Sequence, residues 1–249
     1  MREIQEGHVR EMRDIREMQE TCSQKAQRAL AAILEVSVEF ADVQREYPIF
    51  FRKDPATGEF SSFALLGFSK DENLFLEDGV WKAAYVPGIV ARGPFLIGFQ
   101  ERREGGDVQK EAVLHVDLDD PRISATDGEP VFLPQGGNSR YLDRVVGILN
   151  GIRTGLEVSK AMFAAFSAAE LIEPVKIEVK FSSEEQYDLH GMFTINQKKL
   201  AELDAETLHK LNRSGFLQGA FLVTSSLGNV QRLIEMKGRR RQRQAASAS

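Results

Sequence analysis

The sequence predicts an α+β protein with a mostly antiparallel sheet in its first half, a helical second half that carries one hairpin, and an N-terminal helical arm. Short aromatic and β-branched runs separated by turn formers fill residues 47–120, whereas apolar residues recur at helical spacing in residues 139–171 and again after residue 196. The chain has 249 residues, 42% of them apolar, which is enough to build a core without metals or disulfides.

Residues 1–39 are predicted to form the helical arm. No proline interrupts residues 8–35, and opposite charges recur at i,i+4. One narrow apolar stripe runs along this helix through Met12, Ile15, Met18, Cys22, Ala26, Ala29 and Ile33. We expect the stripe to pack on the same chain, and homodimerisation through this helix or insertion into a partner's groove is the alternative.

The main domain is predicted to span residues 40–236. Its first half has five apolar runs of strand length, at residues 48–51, 60–68, 73–76, 94–99 and 112–118. Turn-forming sequences rich in Asp, Gly and Pro separate these runs, as in hairpin connections. The sequence therefore predicts a mainly antiparallel sheet for this half.

The second half begins with Ser139, which has the side chain of an N-cap, and a long helix follows it until Pro174 breaks the pattern. Residues 175–181 and 187–195 are predicted to form a hairpin. Asn196, Asp204 and Ser225 then precede apolar residues at helical spacing. We expect each of the three to cap a short helix.

Charge is distributed unevenly between the body of the chain and its end. Residues 237–249 hold five basic and no acidic side chains, and without them 27 basic residues face 37 acidic ones, a net charge of −10. An acidic body repels phosphate, so a nucleic acid is not expected as a partner except weakly through the basic tail. The tail lacks large apolar residues, and we expect it to be disordered and dispensable for thermal stability.

A cytoplasmic location is predicted from three features. The first residues carry acidic side chains and no apolar leader, no apolar run is long enough to span a membrane, and the single cysteine, Cys22, excludes an intrachain disulfide.

Catalytic motifs are weak in this sequence. His115, Asp117 and Asp119 alternate on a predicted strand and would share one face, which is how a non-haem iron site begins, with His190 or His209 needed to complete it. The favoured interpretation of these residues is the solvent face of a strand. No metal or other cofactor is therefore predicted, and a metal-dependent enzyme that uses His115 and Asp117 is kept as the alternative.

Ligand binding is predicted from four residues with polar donors in an aromatic-rich region: Tyr47, Trp81, Tyr85 and Arg92. The last three lie on an irregular segment constrained by Pro87 and Pro94. Amphipathic side chains on such a loop suit a peptide or a small ligand. The alternative is that the same donors satisfy buried backbone groups.

Nine short motifs occur in the order and approximate spacing of the SapC family. They are Glu46-Tyr-Pro-Ile-Phe-Phe51, Ala64-Leu-Leu-Gly67, Glu72-Asn-Leu-Phe75, Trp81 followed by Tyr85-Val-Pro87, Arg92-Gly-Pro-Phe95, Asp127-Gly-Glu129, Leu171-Ile-Glu-Pro174, Gly191-Met-Phe-Thr-Ile195 and Ser226-Leu-Gly-Asn229. The chain resembles that family from about Phe40 to Leu233, a range that leaves out the arm.

The resemblance implies a bacterial cytoplasmic protein of a family named for its association with surface-layer genes. It also implies an accessory or interaction protein that binds a peptide, protein or small ligand without catalysis. The chain departs from the family pattern at Ala91 and Gly93, where an arginine and a tyrosine are usual, and at Val223, where a histidine is usual.

Overall fold

A computed structural model describes residues 8–9, 39–69, 72–77, 80–104, 107–120, 122–181 and 185–247. It confirms the α+β class, since helices and antiparallel strand pairs both make up large parts of the chain. The strands are β1 (His8–Val9), β2 (Ile49–Lys53), β3 (Phe60–Ala64), β4 (Leu76–Glu77), β5 (Val80–Trp81), β6 (Phe95–Glu104), β7 (Asp107–Val116), β8 (Ile123–Ser124), β9 (Glu129–Pro130), β10 (Ile172–Lys180) and β11 (Gln186–Ile195). The helices are α1 (Phe40–Val43), α2 (Gly88–Ala91), α3 (Arg140–Ala168), α4 (Gln197–Ala201), α5 (Ala205–Arg213), α6 (Phe216–Ser226) and α7 (Asn229–Ser247).

The central sheet joins the two halves of the chain. Its strand order is β10-β11-β2-β3, and all three pairings are antiparallel. Phe51 of β2 lies opposite Phe193 of β11, so the predicted late hairpin extends the sheet that begins with β2 and β3. The strand pairs of the first half are antiparallel as predicted, but β6 and β7 pair only with each other among the described strands and do not join the central sheet.

The long β6–β7 ribbon belongs to a second, smaller core. Phe95 and Val116 pack there with Val131 and with the first turns of α3, through Leu142 and Val145. His8 and Val9, which were predicted to belong to the helical arm, instead form the short strand β1 between β8 and β9. Residues 1–7 and 10–38, which carry most of the predicted arm and its whole apolar stripe, lie outside the described residues.

Three of the predicted helix caps make the expected side-chain hydrogen bonds. Ser139 accepts a hydrogen bond from Leu142 N at 3.2 Å, and Asn196 accepts one from Lys199 N at 2.9 Å. Asp204 accepts from Glu206 N and Thr207 N, so all three caps are confirmed.

The predicted cap at Ser225 was wrong. That residue lies inside α6, which begins after Gly215, whose φ of 77° lies in the left-handed region that glycine adopts without strain. Pro174 does not end α3 either. The helix ends at Ala168, and Pro174 lies in β10, an edge strand, where a missing backbone donor is tolerated.

The main core fills the space between the central sheet and the helices. Phe51 packs edge-on against Phe163 of α3, with ring centroids 5.0 Å apart. The helix α6 contacts both α1 and β11. The buried Ser226 of α6 accepts a hydrogen bond from Ile49 N at 2.9 Å and so joins this helix to the start of β2.

The basic end of the chain is helical, which corrects the prediction of a disordered tail. Residues 237–247 continue α7 past the predicted domain limit at residue 236. Lys237 forms a 2.5 Å ion pair with Glu72, and Arg240 donates to the backbone oxygens of Asn73 and Leu76, each at 3.1 Å. Cationic side chains with long apolar stems dock without large apolar residues, because carboxylates, carbonyls and aromatic rings receive them.

Candidate functional site

The structure brings together three of the four predicted binding residues, Tyr47, Trp81 and Tyr85. The Tyr47 hydroxyl accepts a hydrogen bond from Trp81 Nε1 at 2.8 Å and donates one to the Tyr85 carbonyl at 2.5 Å. Phe75 packs against the Tyr47 ring at 4.4 Å and stacks on Trp81. This cluster joins the start of β2 to the end of β5 and to the irregular segment after it.

Burial sets the chemistry of this cluster. Tyr47 is 0% exposed and Trp81 is 7% exposed, so their polar atoms already satisfy one another inside the main core. Burial raises the pKa of Tyr47 far above its ordinary value, and a buried neutral phenol holds the loop in place. The prediction that these residues bind a ligand stays a prediction, with the half-buried Tyr85 as the member that solvent reaches.

Carboxylates from the region around α1 hold the same segment. Glu46 accepts a hydrogen bond from Tyr85 N at 3.0 Å, and Glu39 accepts one from Gly88 N at 3.1 Å. The pKa of Tyr85 is raised by burial and by the adjacent Glu39 carboxylate. Glu46 also pairs with Arg232 of α7 at 3.1 Å, which connects the irregular segment to the C-terminal helix.

Arg92 belongs to a different part of the molecule, beside the smaller core. Its Nη1 donates to the Phe95 carbonyl at 2.6 Å, and burial together with the charge of Arg122 lowers the pKa of Arg92. Arg122 in turn donates to both oxygens of Asp120, at 2.8 and 2.5 Å. The four predicted residues therefore do not line one pocket.

The alternative metal site gains no support from the described residues. They contain no group of three or more histidine, cysteine or acidic side chains placed to hold a metal ion. Asp117 follows the end of β7 and is exposed, while His115 lies across Gly98 of β6, where an added Cβ would be 2.1 Å from its Nε2. His190 and His209 are exposed on β11 and α5.

A cleft that the sequence analysis missed opens between the β2–β3 hairpin and α3. Its volume is about 340 Å³, within the size range of small-ligand sites. Both signs of charge line it, with Arg52 and Lys160 as cations and Asp54 and Glu59 as anions. The sequence does contain a sign of this cleft, because two serines at positions 61 and 62 and an arginine at position 52 interrupt the aromatic strand runs.

The charges of the cleft are weakly engaged with each other. Lys160 Nζ and Glu59 Oε1 are 3.9 Å apart, and both side chains are mostly exposed. Asp54 Oδ1 accepts hydrogen bonds from Ala56 N at 2.7 Å and Thr57 N at 3.1 Å, which lower the pKa of Asp54. A carboxylate held ionised in this way is a poor base but a good partner for a cation. Phe60 and Leu156 supply apolar lining between the charges.

Comparison with known proteins gives one match. The family model described as SapC matches residues 14–233, which is most of the chain and includes much of the predicted arm. The match begins earlier than the range expected from the short motifs, which left out the arm. No curated protein and no solved structure matches the chain.

The described helices differ from membrane spans in length or in composition. None of them combines the length and the apolarity that a bilayer span requires.

Proposed function

The chain belongs to the SapC family, and from that premise we propose that it is a non-catalytic accessory protein of the cytoplasm that binds a small zwitterionic ligand or the free end of a peptide. The observation that carries the proposal is the cleft between the β2–β3 hairpin and α3, with two cations and two anions around a volume of about 340 Å³. A ligand with both a carboxylate and an ammonium group matches this lining.

Charge placement favours recognition over proton transfer in the cleft. Asp54 stays ionised because backbone N–H groups hold its pKa low, and it is available to an ammonium or guanidinium group. Lys160 and Arg52 supply the opposite charge for a carboxylate. Since the Lys160–Glu59 pair is long and exposed, a ligand displaces it at little cost.

Apolar contacts add to the charges. Leu156 is 47% exposed on α3 beside the cleft, and Phe60 lies opposite it on β3. Exposed leucines are common singly, but this one sits between the charged groups and offers a surface for the aliphatic part of a ligand.

The test is a titration of the ¹⁵N-labelled full chain with the free tripeptide Lys-Ala-Glu, followed by backbone chemical shifts. We expect shifts concentrated in residues 52–62 and 156–160, and an affinity loss of about 10-fold in Lys160→Glu, because a ligand carboxylate then meets a like charge. The same tripeptide with acetylated and amidated ends separates recognition of the termini from recognition of the side chains.

Lys198→Glu is the matched control, since Lys198 is an exposed lysine of α4 outside the cleft and the charge change is identical. Its affinity is expected to equal that of the unmodified chain. Two results would refute ligand binding in this cleft. One is a set of chemical-shift changes that stays the same in Lys160→Glu. The other is the absence of shifts from either tripeptide at about 10 mM, a concentration that detects even Kd values in the millimolar range.

A further inference from the structure

Two arginines near the end of α7 pair with carboxylates that lie far away in the sequence. Arg241 Nη2 is 2.7 Å from Glu185 Oε2, and its guanidinium lies over the Phe181 ring, 5.3 Å from the ring centre. Arg243 Nη1 is 3.2 Å from Glu77 Oε2. Carboxylates and aromatic faces are the groups that bind guanidinium best in proteins. The surface beneath the end of α7 therefore has the chemistry of an arginine-binding site.

Backbone carbonyls complete this surface. Arg240 donates from Nη1 to the Asn73 oxygen and from Nη2 to the Leu76 oxygen, each at 3.1 Å. The contacted groups come from residues 73–77 and from the two ends of the β10–β11 connection. We call them the arginine surface, which consists of the carbonyls of Asn73 and Leu76 and the side chains of Glu77, Phe181 and Glu185. It receives three arginines in the spacing Arg-Arg-x-Arg, at positions 240, 241 and 243.

The part of α7 that lies on the arginine surface is held less firmly than the part before it. Leu233 is buried in the main core, and the Lys237 side chain is only 12% exposed. Farther along, the side chain of Arg241 is 37% exposed and that of Arg243 is 67% exposed, and residues 242–247 are all exposed. Exposed ion pairs contribute little to stability, because water and salt compete for both partners. The last turns of α7 are therefore displaceable without unfolding the core.

Gly238 separates the firmly held part of α7 from the exposed part. Apart from the helix itself, no heavy atom lies within 4 Å of the position that a Cβ would take there, so packing does not require a glycine. A glycine inside a helix weakens it, because glycine loses the most conformational freedom on folding. Gly238 thus gives residues 239–247 a point at which to leave the surface while residues 229–237 stay in place.

The family match divides the surface from its occupant in a similar place. It ends at residue 233, so the whole arginine surface lies inside the matched range and the three arginines lie beyond it. Without residues 237–249 the chain has a net charge of −10, which attracts a basic partner. The surface is thus part of the matched domain, whereas its present occupant is an extension of this chain.

We propose that the arginine surface is an interaction site for a helical partner segment with the spacing Arg-Arg-x-Arg, and that residues 239–247 occupy it until such a partner displaces them. The contacts of Arg240, Arg241 and Arg243 give the chemistry that the partner reproduces. Because the chain's own arginines are tethered, their effective concentration is high, and the partner competes against it. The surface is separate from the cleft beside α3 and does not depend on the function proposed for that cleft.

Fluorescence anisotropy with a labelled, end-capped peptide of residues 236–247 tests the site on the full chain. The unmodified chain is compared with the triple variant Arg240→Ala, Arg241→Ala, Arg243→Ala, in which the chain's own helix competes less. We expect the triple variant to bind the peptide with a Kd lower by about 10-fold or more, because the apparent Kd falls as the open fraction of the surface rises.

The charge-matched control is Lys198→Ala, Lys210→Ala, Arg213→Ala, which removes three exposed positive charges from α4 and α5. Its Kd is expected to stay near that of the unmodified chain. Saturating peptide is also expected to move the backbone amide signals of residues 239–247 in the unmodified chain to random-coil positions.

Two substitutions on the surface and one altered peptide test where the peptide binds. Glu185→Gln or Phe181→Leu, each added to the triple variant, is expected to raise Kd about 5-fold, because the middle arginine loses one partner. Glu185→Gln serves even if Phe181→Leu does not fold. A peptide with Arg241 and Ala245 exchanged keeps the composition but not the spacing, and is expected to bind about 10-fold more weakly. Equal Kd values for the triple variant and its charge-matched control, for Glu185→Gln and its parent, or for the two peptides would overturn the proposal.

Discussion

Replacing Lys237 with alanine tests whether the basic end of the chain is part of the fold. Lys237 pairs with Glu72 at 2.5 Å, and the two side chains are only 12% and 11% exposed. Its ammonium also lies 5.0 Å from the centre of the Tyr187 ring. The other oxygen of Glu72 accepts a hydrogen bond from Phe68 N at 3.0 Å, so the carboxylate stays buried when its cation is removed.

The expected loss of stability follows from that burial. Removing one partner of a fully buried pair costs about 3–5 kcal/mol, because a charge is left without compensation. Since about a tenth of each side chain remains exposed here, solvent reduces the cost, and we expect about 2–3 kcal/mol. For a chain of this length, that corresponds to a fall in Tm of about 5–10 °C.

Urea unfolding followed by circular dichroism measures the free energy, and calorimetry measures Tm. Burial alone would lower the pKa of Lys237, but its hydrogen bonds to Glu72 and Tyr187 raise it above the ordinary 10.5. The pair's contribution is therefore fully present at neutral pH and is lost as pH rises through the folded-state pKa. A double-mutant cycle with Glu72→Gln isolates the interaction between the two residues.

Arg239→Ala is the matched control, since Arg239 is 58% exposed on the same helix and lies 3.9 Å from Glu235. It is expected to change the free energy of unfolding by no more than about 0.5 kcal/mol. If Lys237→Ala unfolds within about 1 °C of the unmodified chain, the reasoning from burial fails and the original expectation of a dispensable tail is restored.

Two further predictions concern the main core. Gly67→Ala places a Cβ 2.7 Å from the Glu72 carbonyl oxygen and is expected to lower the free energy of unfolding in urea by about 1–3 kcal/mol. Gly147→Ala, on α3 with open space around it, is the control and is expected to raise that free energy by about 0.5–1 kcal/mol. Equal effects of the two substitutions would contradict the described packing. Ser226→Ala leaves the buried Ile49 N–H without its acceptor and is expected to cost about 1–3 kcal/mol, and a change below 0.5 kcal/mol would show that the hydrogen bond is not made.

Features that depend on neighbouring residues were predictable from the sequence. The caps at Ser139, Asn196 and Asp204 follow from a side chain that bonds backbone groups two or three residues ahead. The late hairpin follows from two strand-like runs around a short turn. The cap expected at Ser225 was wrong because α6 and its buried Ser226 are held by contacts with β2, which lies far away in the sequence.

Contacts between distant parts of the chain were decided by the tertiary structure. The strand β2 takes β11 as its partner, and the four predicted binding residues separate into a cluster of Tyr47, Trp81 and Tyr85 and a distant Arg92. The cleft beside α3 exists only because that helix lies against the β2–β3 hairpin.

The sequence by itself determined the family, the α+β class and the local elements, because caps, turns and apolar periodicity act over a few residues. Only the tertiary structure decided that the basic tail docks on Glu72 and that Arg92 lies beside Arg122. The physical reason is that the sequence around a charged residue does not indicate which distant residue will pair with it. Burial sets the free-energy cost of leaving that charge unpaired, and burial exists only in the folded chain.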